Sequence, residues 1–172
     1  ITFGNRLAAD FMPVSGASRS ELIRCAALTS LHDETPEGKS TLELARRLGD
    51  QTTAPDQVQF HEFTAQTRMS GLDLPDGTRV RKGASEAIEQ YVTAQGGKIP
   101  SDLHELVNQV AGMGGTPLVV CENDQILGVI YLKDTVKPGM QERFERLRAI
   151  GIKTIMCTGD NPLTAADRKS VV

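Results

Sequence analysis

The chain has 172 residues, of which 39% are hydrophobic and 24% are charged, and its formal net charge is −3. This length suits one domain, or one domain with part of another, and the composition is that of an ordinary globular protein. The small negative charge and the lack of a Lys/Arg run argue against a nucleic-acid module. No apolar stretch approaches the ~20 residues that a membrane-spanning helix needs.

The three cysteines and three histidines are scattered along the chain, and no pair of them has metal-ligand spacing. We therefore expect no metal site in this chain. The odd number of cysteines also favours buried thiols over disulfides.

The chain opens with a predicted strand and a predicted helix. The strand covers residues 7–14 and is closed by Pro13. Ser18 and Glu21 have the spacing of a capping box, and apolar residues recur after them at helical intervals. A helix is therefore predicted from Ser18 to about residue 31.

A second helix and three strands follow. Thr35-Pro36-Glu37 combines a capping hydroxyl, a first-turn proline and an acid at the positive end of the helix dipole. Gly49 ends this helix, and the polar residues 50–57 predict a loop. Strands are then predicted at about 58–64, 67–74 and 78–82, the last two joined by a turn at Pro75-Asp76-Gly77.

Two more helices and two more strands complete the main domain. Ser85 begins a helix that stops at Gly96-Gly97, and Pro100-Ser101 begins another with apolar residues at i, i+3, i+4 and i+7. Two apolar runs, 117–122 and 125–132, flank a predicted hairpin turn. Neighbouring strands of this kind, together with four helices, predict an α+β fold in which an antiparallel sheet is flanked by helices.

A change in the pattern marks the end of this domain. Residues 133–139 are rich in charge, proline and glycine and form the clearest predicted boundary in the chain. A helix ended by Gly151 and a buried-type strand at 152–157 come next. They predict a partial α/β piece, in which ligands bind beyond the carboxyl end of the strand.

The predicted hairpin around residues 63–83 carries the groups that a purine nucleotide requires. Phe63 offers a flat apolar ring, Ser70 a hydroxyl beside the accessible backbone of Gly71, and Lys82 a cation beside Gly83. Each also has a purely structural interpretation, with Phe63 as a strand core residue and Lys82 as a solvated surface cation. Residue patterns alone leave both interpretations open.

Other charged residues lie near the same hairpin. Asp33 and Glu37 flank the start of the second predicted helix, where acids are stabilised by the helix dipole by about 0.3–1 kcal/mol. Arg68 lies between Phe63 and Ser70. Arg79 and Arg81 alternate with a valine, and we expect both to point to solvent.

Five segments, in their order and spacing, resemble the ATP-binding B subunit of bacterial potassium-importing P-type ATPases. They are Asp33-Glu34-Thr35-Pro36-Glu37-Gly38, Phe63-Thr64-Ala65-Gln66-Thr67-Arg68-Met69-Ser70-Gly71, Lys82-Gly83, Leu132-Lys133-Asp134 and Thr158-Gly159-Asp160-Asn161. The resemblance covers nearly all of residues 1–166, and the first, second and last segments together are specific to the potassium class.

This resemblance implies a nucleotide-binding domain inserted into a haloacid-dehalogenase-like phosphorylation domain. Residues 1–4 would end a phosphorylation-domain strand, 5–136 would form the nucleotide-binding domain and 137–166 a partial phosphorylation domain. Residues 167–172 are suspected to be a non-native tail. The family's phosphorylated aspartate lies in an Asp-Lys-Thr-Gly-Thr motif, expected just before Ile1. No catalytic residue is therefore assigned, and the chain is expected to bind ATP without hydrolysing it.

The resemblance also implies roles for individual residues. Phe63 would stack on adenine, Asp33 and Glu37 would accept hydrogen bonds from the adenine amino group or the ribose hydroxyls, and Arg68 would meet the phosphates. The full implied ATP-binding set is Asp33, Glu37, Phe63, Thr64, Ala65, Gln66, Thr67, Arg68, Met69, Ser70, Lys82 and Gly83.

In the intact pump, ATP hydrolysis through an aspartyl-phosphate would drive potassium uptake. Thr158, Gly159 and Asp160 would form its phosphoryl-site loop, and Mg²⁺ would be held by ligands outside this chain. The implied partners, besides ATP, are a potassium-channel-like A subunit and small accessory membrane subunits, with no nucleic acid. The implied location is a cytoplasmic domain of a bacterial inner-membrane complex.

Two alternative functions stay open. A heavy-metal-transporting P-type ATPase is the first, but its adenine site usually relies on a His-Pro pair, and the chain contains no His-Pro dipeptide. That absence favours the potassium class. The second alternative is a non-catalytic α+β interaction domain that binds no nucleotide.

Overall fold

Six strands and five helices lie in the residues that the computed structural model describes, which are 2–136, 139–153 and 155. The strands are β1 (Thr2–Pro13), β2 (Gln59–His61), β3 (Met69–Asp73), β4 (Arg79–Gly83), β5 (Gly115–Glu122) and β6 (Gln125–Val136). The helices are α1 (Arg19–Leu28), α2 (Pro36–Arg47), α3 (Ser85–Ala94), α4 (Leu103–Gly112) and α5 (Met140–Ala149).

All six strands join in one antiparallel sheet, in the order β1-β6-β5-β4-β3-β2. Helices α1 and α2 pack on one face of this sheet, and α3 and α4 pack on the other. The predicted fold class, an antiparallel sheet flanked by helices, is confirmed.

Each face of the sheet has its own hydrophobic core. The core under α1 and α2 includes Phe11, Leu72 and Ile130, and the core under α3 and α4 includes Ile88 and Val119. Because strand side chains alternate between faces, neighbouring residues of a central strand enter different cores. This alternation decides where each predicted site residue lies.

The first two helices begin where capping residues predict them. The Ser18 hydroxyl accepts from the Glu21 backbone N–H at 3.1 Å, and the Glu21 carboxylate accepts from the Ser18 N–H at 3.3 Å, which completes the capping box. The Thr35 hydroxyl accepts from the Gly38 N–H at 3.1 Å and caps α2 in the same way. Both caps satisfy backbone donors that the first helical turn leaves free.

The strands differ from prediction mainly in length. β1 and β6 are each 12 residues long, and β6 continues to Val136 through the first half of the predicted connector at 133–139. The reason is pairing: Lys133 lies opposite Leu7 in β1, so the polar end of β6 still finds partners for its backbone groups. β2, by contrast, keeps three residues of the predicted 58–64 strand.

The remaining part of the chain follows prediction in its helix but not in the strand predicted after it. Helix α5 begins at Met140, is followed by Gly151, and buries none of its residues. Of the predicted buried-type strand at 152–157, the described residues 152, 153 and 155 are exposed and form no strand, because nothing described packs against them. The other three residues, and all of the suspected tail at 167–172, lie outside the described residues. The proposed domain boundaries therefore stay predictions.

Two of the three cysteines are described, and both are buried free thiols, as predicted. Burial is the largest cause that raises the pKa of Cys25 and of Cys121 to about 12, so neither thiol ionises at neutral pH. Within the described ranges, no helix combines the length and the apolar character that crossing a membrane requires.

Candidate functional site

Lys82 is a buried cation at the centre of the predicted site. Only 4% of the accessible surface of Lys82 is exposed. Its ammonium donates to the Ser30 hydroxyl at 2.8 Å and to the Asp33 carboxylate at 2.7 Å. Burial lowers the pKa of this ammonium from its ordinary value, while Asp33 and Glu37 act in the opposite direction. The interpretation of Lys82 as a solvated surface cation is therefore wrong.

Asp33 is held on both of its carboxylate oxygens. Oδ2 accepts from the Lys82 ammonium, and Oδ1 accepts from the Thr35 backbone N–H at 3.1 Å and from the Thr35 hydroxyl at 2.5 Å. Partial burial opposes ionisation, but Lys82 and the Thr35 donors outweigh it and hold the pKa of the Asp33 carboxyl below its ordinary value. Asp33 is thus an ionised group aimed at Lys82.

Two further predicted residues lie beside this ion pair. Ser70 of β3 is the direct cross-strand partner of Lys82 in β4, and directly opposed residues share one face of a sheet. Glu37, in the first turn of α2, is close enough to act on the Lys82 ammonium electrostatically. The structure therefore brings Asp33, Glu37, Ser70 and Lys82 together on the α1/α2 face.

The aromatic residue of the predicted site lies on a loop. Phe63 follows β2 and is 62% exposed, so its alternative interpretation as a strand core residue is wrong. The loop, residues 62–68, is nevertheless ordered by its own hydrogen bonds. The Thr64 hydroxyl accepts from the Thr67 N–H at 3.0 Å, and the Thr64 carbonyl accepts from the Arg68 N–H at 2.8 Å.

The start of the 62–68 loop is anchored near Asp33. The Phe60 ring of β2 lies 3.8 Å, between centroids, from the imidazole of His32, the residue directly before Asp33. This ring contact ties β2 to the connection between α1 and α2. The exposed Phe63 ring follows three residues after that anchor, while Thr64, Ala65, Gln66 and Thr67 are also exposed.

Arg68 and Met69 lie apart from the Lys82 cluster. The Arg68 guanidinium donates to the Glu86 carboxylate of α3 at 3.0 Å, and Met69 packs against the core under α3 and α4. A cavity of about 330 Å³ on this side is lined by both residues together with Glu86, Gln90 and Tyr91, among others. The structure thus divides the predicted set between the two faces of the sheet.

Gly83 permits a close approach of the protein's own backbone. A Cβ atom at this position would lie 2.4 Å from the Arg68 carbonyl oxygen, so any side chain would push β3 away from β4. The bare backbone that the sequence places beside Lys82 is therefore covered by Arg68 in this structure.

Arg81 contradicts the expectation that it points to solvent. It is 8% exposed, and its guanidinium donates to the Leu72 carbonyl at 2.8 Å, the Val80 carbonyl at 3.0 Å and the Asp73 carboxylate at 2.6 Å. It also lies 5.5 Å from the ring centroid of Tyr91. The reason is that α3 covers this face, so both faces of β4 are buried. Arg79, at the exposed end of β4, does reach solvent.

Ser30 is a site residue that the sequence did not single out. It follows α1, is 2% exposed, and donates its hydroxyl proton to the Ala26 carbonyl at 2.8 Å while accepting from Lys82. The sequence did contain a signal for this residue, since Ser30 is a polar residue one helical turn after Ala26 and Ala27, two alanines on the inward-facing side of the predicted helix. A buried polar side chain at such a position needs a partner.

Metal ligation is not apparent in the described ranges. Across residues 2–136, 139–153 and 155, no cluster of three or more His, Cys, Asp or Glu side chains could hold a metal ion. The predicted phosphoryl-site loop of Thr158, Gly159 and Asp160 lies outside those ranges.

Comparison with known families decides the relationship. The profile of the haloacid dehalogenase-like hydrolases matches residues 1–170, nearly the whole chain. The chain belongs to this family. Among curated relatives of this member, the potassium-transporting ATPase ATP-binding subunit of Clostridium acetobutylicum is 62% identical over 168 residues. That match takes in 96% of the chain but only 24% of the relative, so the chain spans about a quarter of the relative's length.

Solved structures of P-type ATPases share the fold of this haloacid dehalogenase-like member. A zinc-transporting PIB-type ATPase in an E2·Pi state matches 98% of the chain and 26% of its own chain, at 25% identity and a TM-score of 0.69. The isolated N-domain of a copper-transporting P-type ATPase matches 76% of the chain and all of its own, at 17% identity and a TM-score of 0.56. The predicted resemblance to potassium-transporting ATPase ATP-binding subunits is confirmed by sequence similarity, and the P-type ATPase fold by structural similarity.

Proposed function

We propose that this chain binds ATP and forms the nucleotide-binding part of the catalytic subunit of a potassium-importing P-type ATPase. The observation that carries the proposal is the buried Lys82 ammonium, which keeps one donor uncommitted beside Ser70 and near the loop that bears Phe63. The names of the relatives supply the biological context.

The donor count at Lys82 supports a ligand site. A lysine ammonium has three N–H donors, and two of them are used by Ser30 and Asp33. No hydrogen bond within the described residues uses the third. A buried donor without a partner is costly, so a ligand that supplies an acceptor to this N–H gains affinity.

The exposed Phe63 ring supplies the second part of the site. Its ring is presented to solvent by a loop that is already held by the Thr64 and Thr67 hydrogen bonds, so little ordering is needed when a base binds. Stacking of a base on an aromatic side chain contributes roughly 1–3 kcal/mol. A stacked base with acceptor nitrogens directed at Lys82 is the arrangement that we propose for adenine.

Arg68 enters this proposal only with a rearrangement. Its predicted contact with the phosphates requires the exposed pair with Glu86 to open, and such exposed pairs contribute about 0–1 kcal/mol. The triphosphate of a bound nucleotide competes readily with an interaction of that size. We propose that the 62–68 loop presents Arg68 to the phosphates when ATP is bound.

The activity of the whole pump is likewise a proposal. In it, ATP hydrolysis through an aspartyl-phosphate drives potassium import, with Mg²⁺ held by groups outside this chain. Its partners are an A subunit and small accessory membrane subunits at a bacterial inner membrane, with this domain on the cytoplasmic side. The printed sequence contains no Asp-Lys-Thr-Gly-Thr motif, and we propose that the chain alone binds ATP without turnover.

Titration of the ¹⁵N-labelled chain with ATP tests the proposal. We expect amide shifts concentrated at residues 63–70 and at Lys82, with no release of phosphate. A spectrum that stays unchanged at millimolar ATP would instead support the non-catalytic interaction domain.

A substitution of the aromatic residue tests the stacking contact itself. We expect Phe63→Ala to raise the Kd for ATP about 5- to 150-fold, which corresponds to the loss of one stacked base. Phe144→Ala is the matched control, because Phe144 is a partly exposed aromatic on α5. Equal affinities for both variants would show that Phe63 does not stack on adenine.

A further inference from the structure

Ser30 makes two hydrogen bonds that fix the direction of its hydroxyl group. Its proton goes to the Ala26 carbonyl at 2.8 Å, so its oxygen is left to accept from the Lys82 ammonium, also at 2.8 Å. A hydroxyl has one donor and two acceptor positions, and this arrangement assigns the donor. Because Ser30 is 2% exposed, water does not compete for either bond.

Gly38 leaves the space that Asp33 occupies. A Cβ atom at position 38 would lie 2.3 Å from Asp33 Cγ and 2.6 Å from the Asp33 carbonyl oxygen. Real Cβ atoms do not come so close to backbone atoms, so any side chain here must move Asp33. Gly38 also donates its N–H to Thr35, whose hydroxyl donates to Asp33, so the turn closes on itself.

We propose that Ser30 and Gly38 are positioning residues of the nucleotide site, which fix Lys82 and Asp33 so that one ammonium N–H is left for the ligand. This inference rests on the proposed function. Neither residue contacts the ligand in it: Ser30 acts through Lys82, and Gly38 acts through Asp33.

The same geometry changes the role of Asp33. Its Oδ2 is committed to Lys82 and its Oδ1 to two donors of Thr35, so Asp33 has little capacity left for an adenine amino group or a ribose hydroxyl. Asp33 acts on the ligand by orienting Lys82. Its predicted direct contact with adenosine is thereby replaced by an indirect one.

Matched removal of two buried hydroxyls tests the role of Ser30. Thr29 and Ser30 are neighbours, are 5% and 2% exposed, and both donate to the Ala26 carbonyl, at 3.0 Å and 2.8 Å. Only Ser30 reaches Lys82. We expect Thr29→Val and Ser30→Ala to lower stability similarly, while Ser30→Ala alone raises the Kd for ATP about tenfold, the equivalent of one hydrogen bond to a charged group.

The pH dependence of binding separates positioning from general structure. The charged groups that face the Lys82 ammonium are Asp33, from the α1–α2 connection, and Glu37, from α2. Loss of the Ser30 acceptor lowers the pKa of the ammonium further, and a lysine is charged only below its pKa. ATP binding by Ser30→Ala should therefore decline at a lower pH than binding by the wild-type chain or by Thr29→Val.

Matched alanine substitutions of two helical glycines test the role of Gly38. A Cβ at Gly112 of α4 would meet no atom within 4 Å, so Gly112→Ala should leave ATP binding unchanged. Gly38→Ala should raise the Kd at least tenfold, because it displaces Asp33. An NMR titration of the Lys82 side chain without ATP gives a second measurement, in which both Ser30→Ala and Gly38→Ala should lower its pKa.

The outcomes distinguish the inference from the proposed function. If the wild-type chain does not bind ATP, the proposed function fails, whatever the side-chain titration gives. If the wild-type chain binds ATP but Ser30→Ala matches Thr29→Val, and Gly38→Ala matches Gly112→Ala, the positioning inference is overturned. Should one variant not fold, the other pair and the Lys82 titration still decide.

Discussion

Two neighbouring residues of β4, Arg81 and Lys82, are both buried cations, yet they differ in the groups that hold them. Arg81 faces α3, pairs with Asp73, donates to two backbone carbonyls and lies over the Tyr91 ring. Lys82 faces the opposite side, with two of its three donors in use. Arg81 is held by three hydrogen bonds and a ring contact, whereas Lys82 is held by two hydrogen bonds, and its third N–H has no partner among the described residues.

This difference teaches that burial of a charge does not by itself mark a binding site. A planar guanidinium suits a structural role, because it can bridge carbonyls and a carboxylate while stacking on an aromatic ring. A compact ammonium with an unused N–H suits a ligand. The α3 side of β4 is therefore a structural clamp between β3 and β4, and the α1/α2 side is the candidate site.

The largest expected effect comes from removing the counter-ion of Lys82. Asp33→Asn leaves a buried ammonium without its negative partner, and breaking such a pair costs about 3–5 kcal/mol. We expect this loss in the free energy of unfolding at pH 7, measured by urea denaturation. The loss of stability should become smaller as the pH is raised toward 10, because Lys82 then loses its proton and a neutral amine needs no counter-ion.

A double variant controls for the loss of Asp33 as a hydrogen-bond acceptor. Asp33→Asn combined with Lys82→Met removes both charges and should be more stable than Asp33→Asn alone. If the double variant were the less stable of the two, the ion pair would not be the reason for the loss.

The next effect separates the two cations directly. Arg81→Met should lower the free energy of unfolding by about 2–3 kcal/mol, because it removes three hydrogen bonds, one of them to the Asp73 carboxylate. It should change the Kd for ATP by less than about threefold. Lys82→Met should instead weaken the binding of ATP at least tenfold, and it also costs stability because Asp33 loses its counter-ion.

Calorimetric titration with ATP measures this difference in affinity, and urea denaturation measures the stability of both variants. Arg79→Met, at the exposed end of β4, is the control for charge alone. Equal losses of ATP affinity in Arg81→Met and Lys82→Met would remove the distinction between clamp and site.

A smaller effect concerns acid pH. Burial tends to raise the pKa of Asp73, but Arg81 and then His61 hold it below its ordinary value, and the pKa of Asp33 is lowered in a comparable way. A carboxyl with a lowered pKa stabilises the fold above its unfolded value of about 3.9, and the contribution is lost as pH falls through the folded value.

Urea denaturation between pH 2.5 and 7 measures this contribution. The wild-type chain should lose stability below about pH 4, and Asp73→Asn should flatten that decline while leaving ATP binding at pH 7 unchanged. An unaltered acid decline in Asp73→Asn would show that the Arg81–Asp73 pair contributes nothing to folding.

Much of the fold could be predicted because its signals are local. The capping box at Ser18 and the Thr35-Pro36 start of α2 depend on residues three apart, and the structure places both helices there. Periodicity likewise located α3, α4 and the β5–β6 hairpin. The end of β6 was missed, since whether Lys133 is strand or connector depends on pairing with the distant Leu7.

The residues of the candidate site were proposed from the sequence, but their arrangement was not. Segment resemblance singled out Asp33, Ser70 and Lys82, yet only the sheet register and the Lys82–Asp33 hydrogen bond show that they lie together. The prediction for Arg81 was wrong because β4 is short. In such a strand, alternating polar and apolar residues are expected whether one face of the sheet is covered by helices or both are. Ser30 was missed because its partner, Lys82, lies 52 residues away.

The smallest expected effect concerns the link between the two faces at the 62–68 loop. Arg68 is paired with the exposed Glu86, and Glu86→Gln should change the free energy of unfolding by less than about 1 kcal/mol. If Arg68 turns toward phosphates in the bound state, removing this competing carboxylate should strengthen binding of ATP by about twofold and leave binding of adenosine unchanged.

Calorimetric titration with both ligands measures the difference. Glu105→Gln, in the first turn of α4 and outside the cavity lining, is the control for the change in net charge. An equal change for ATP and adenosine would place Arg68 with the structural clamp rather than with the site.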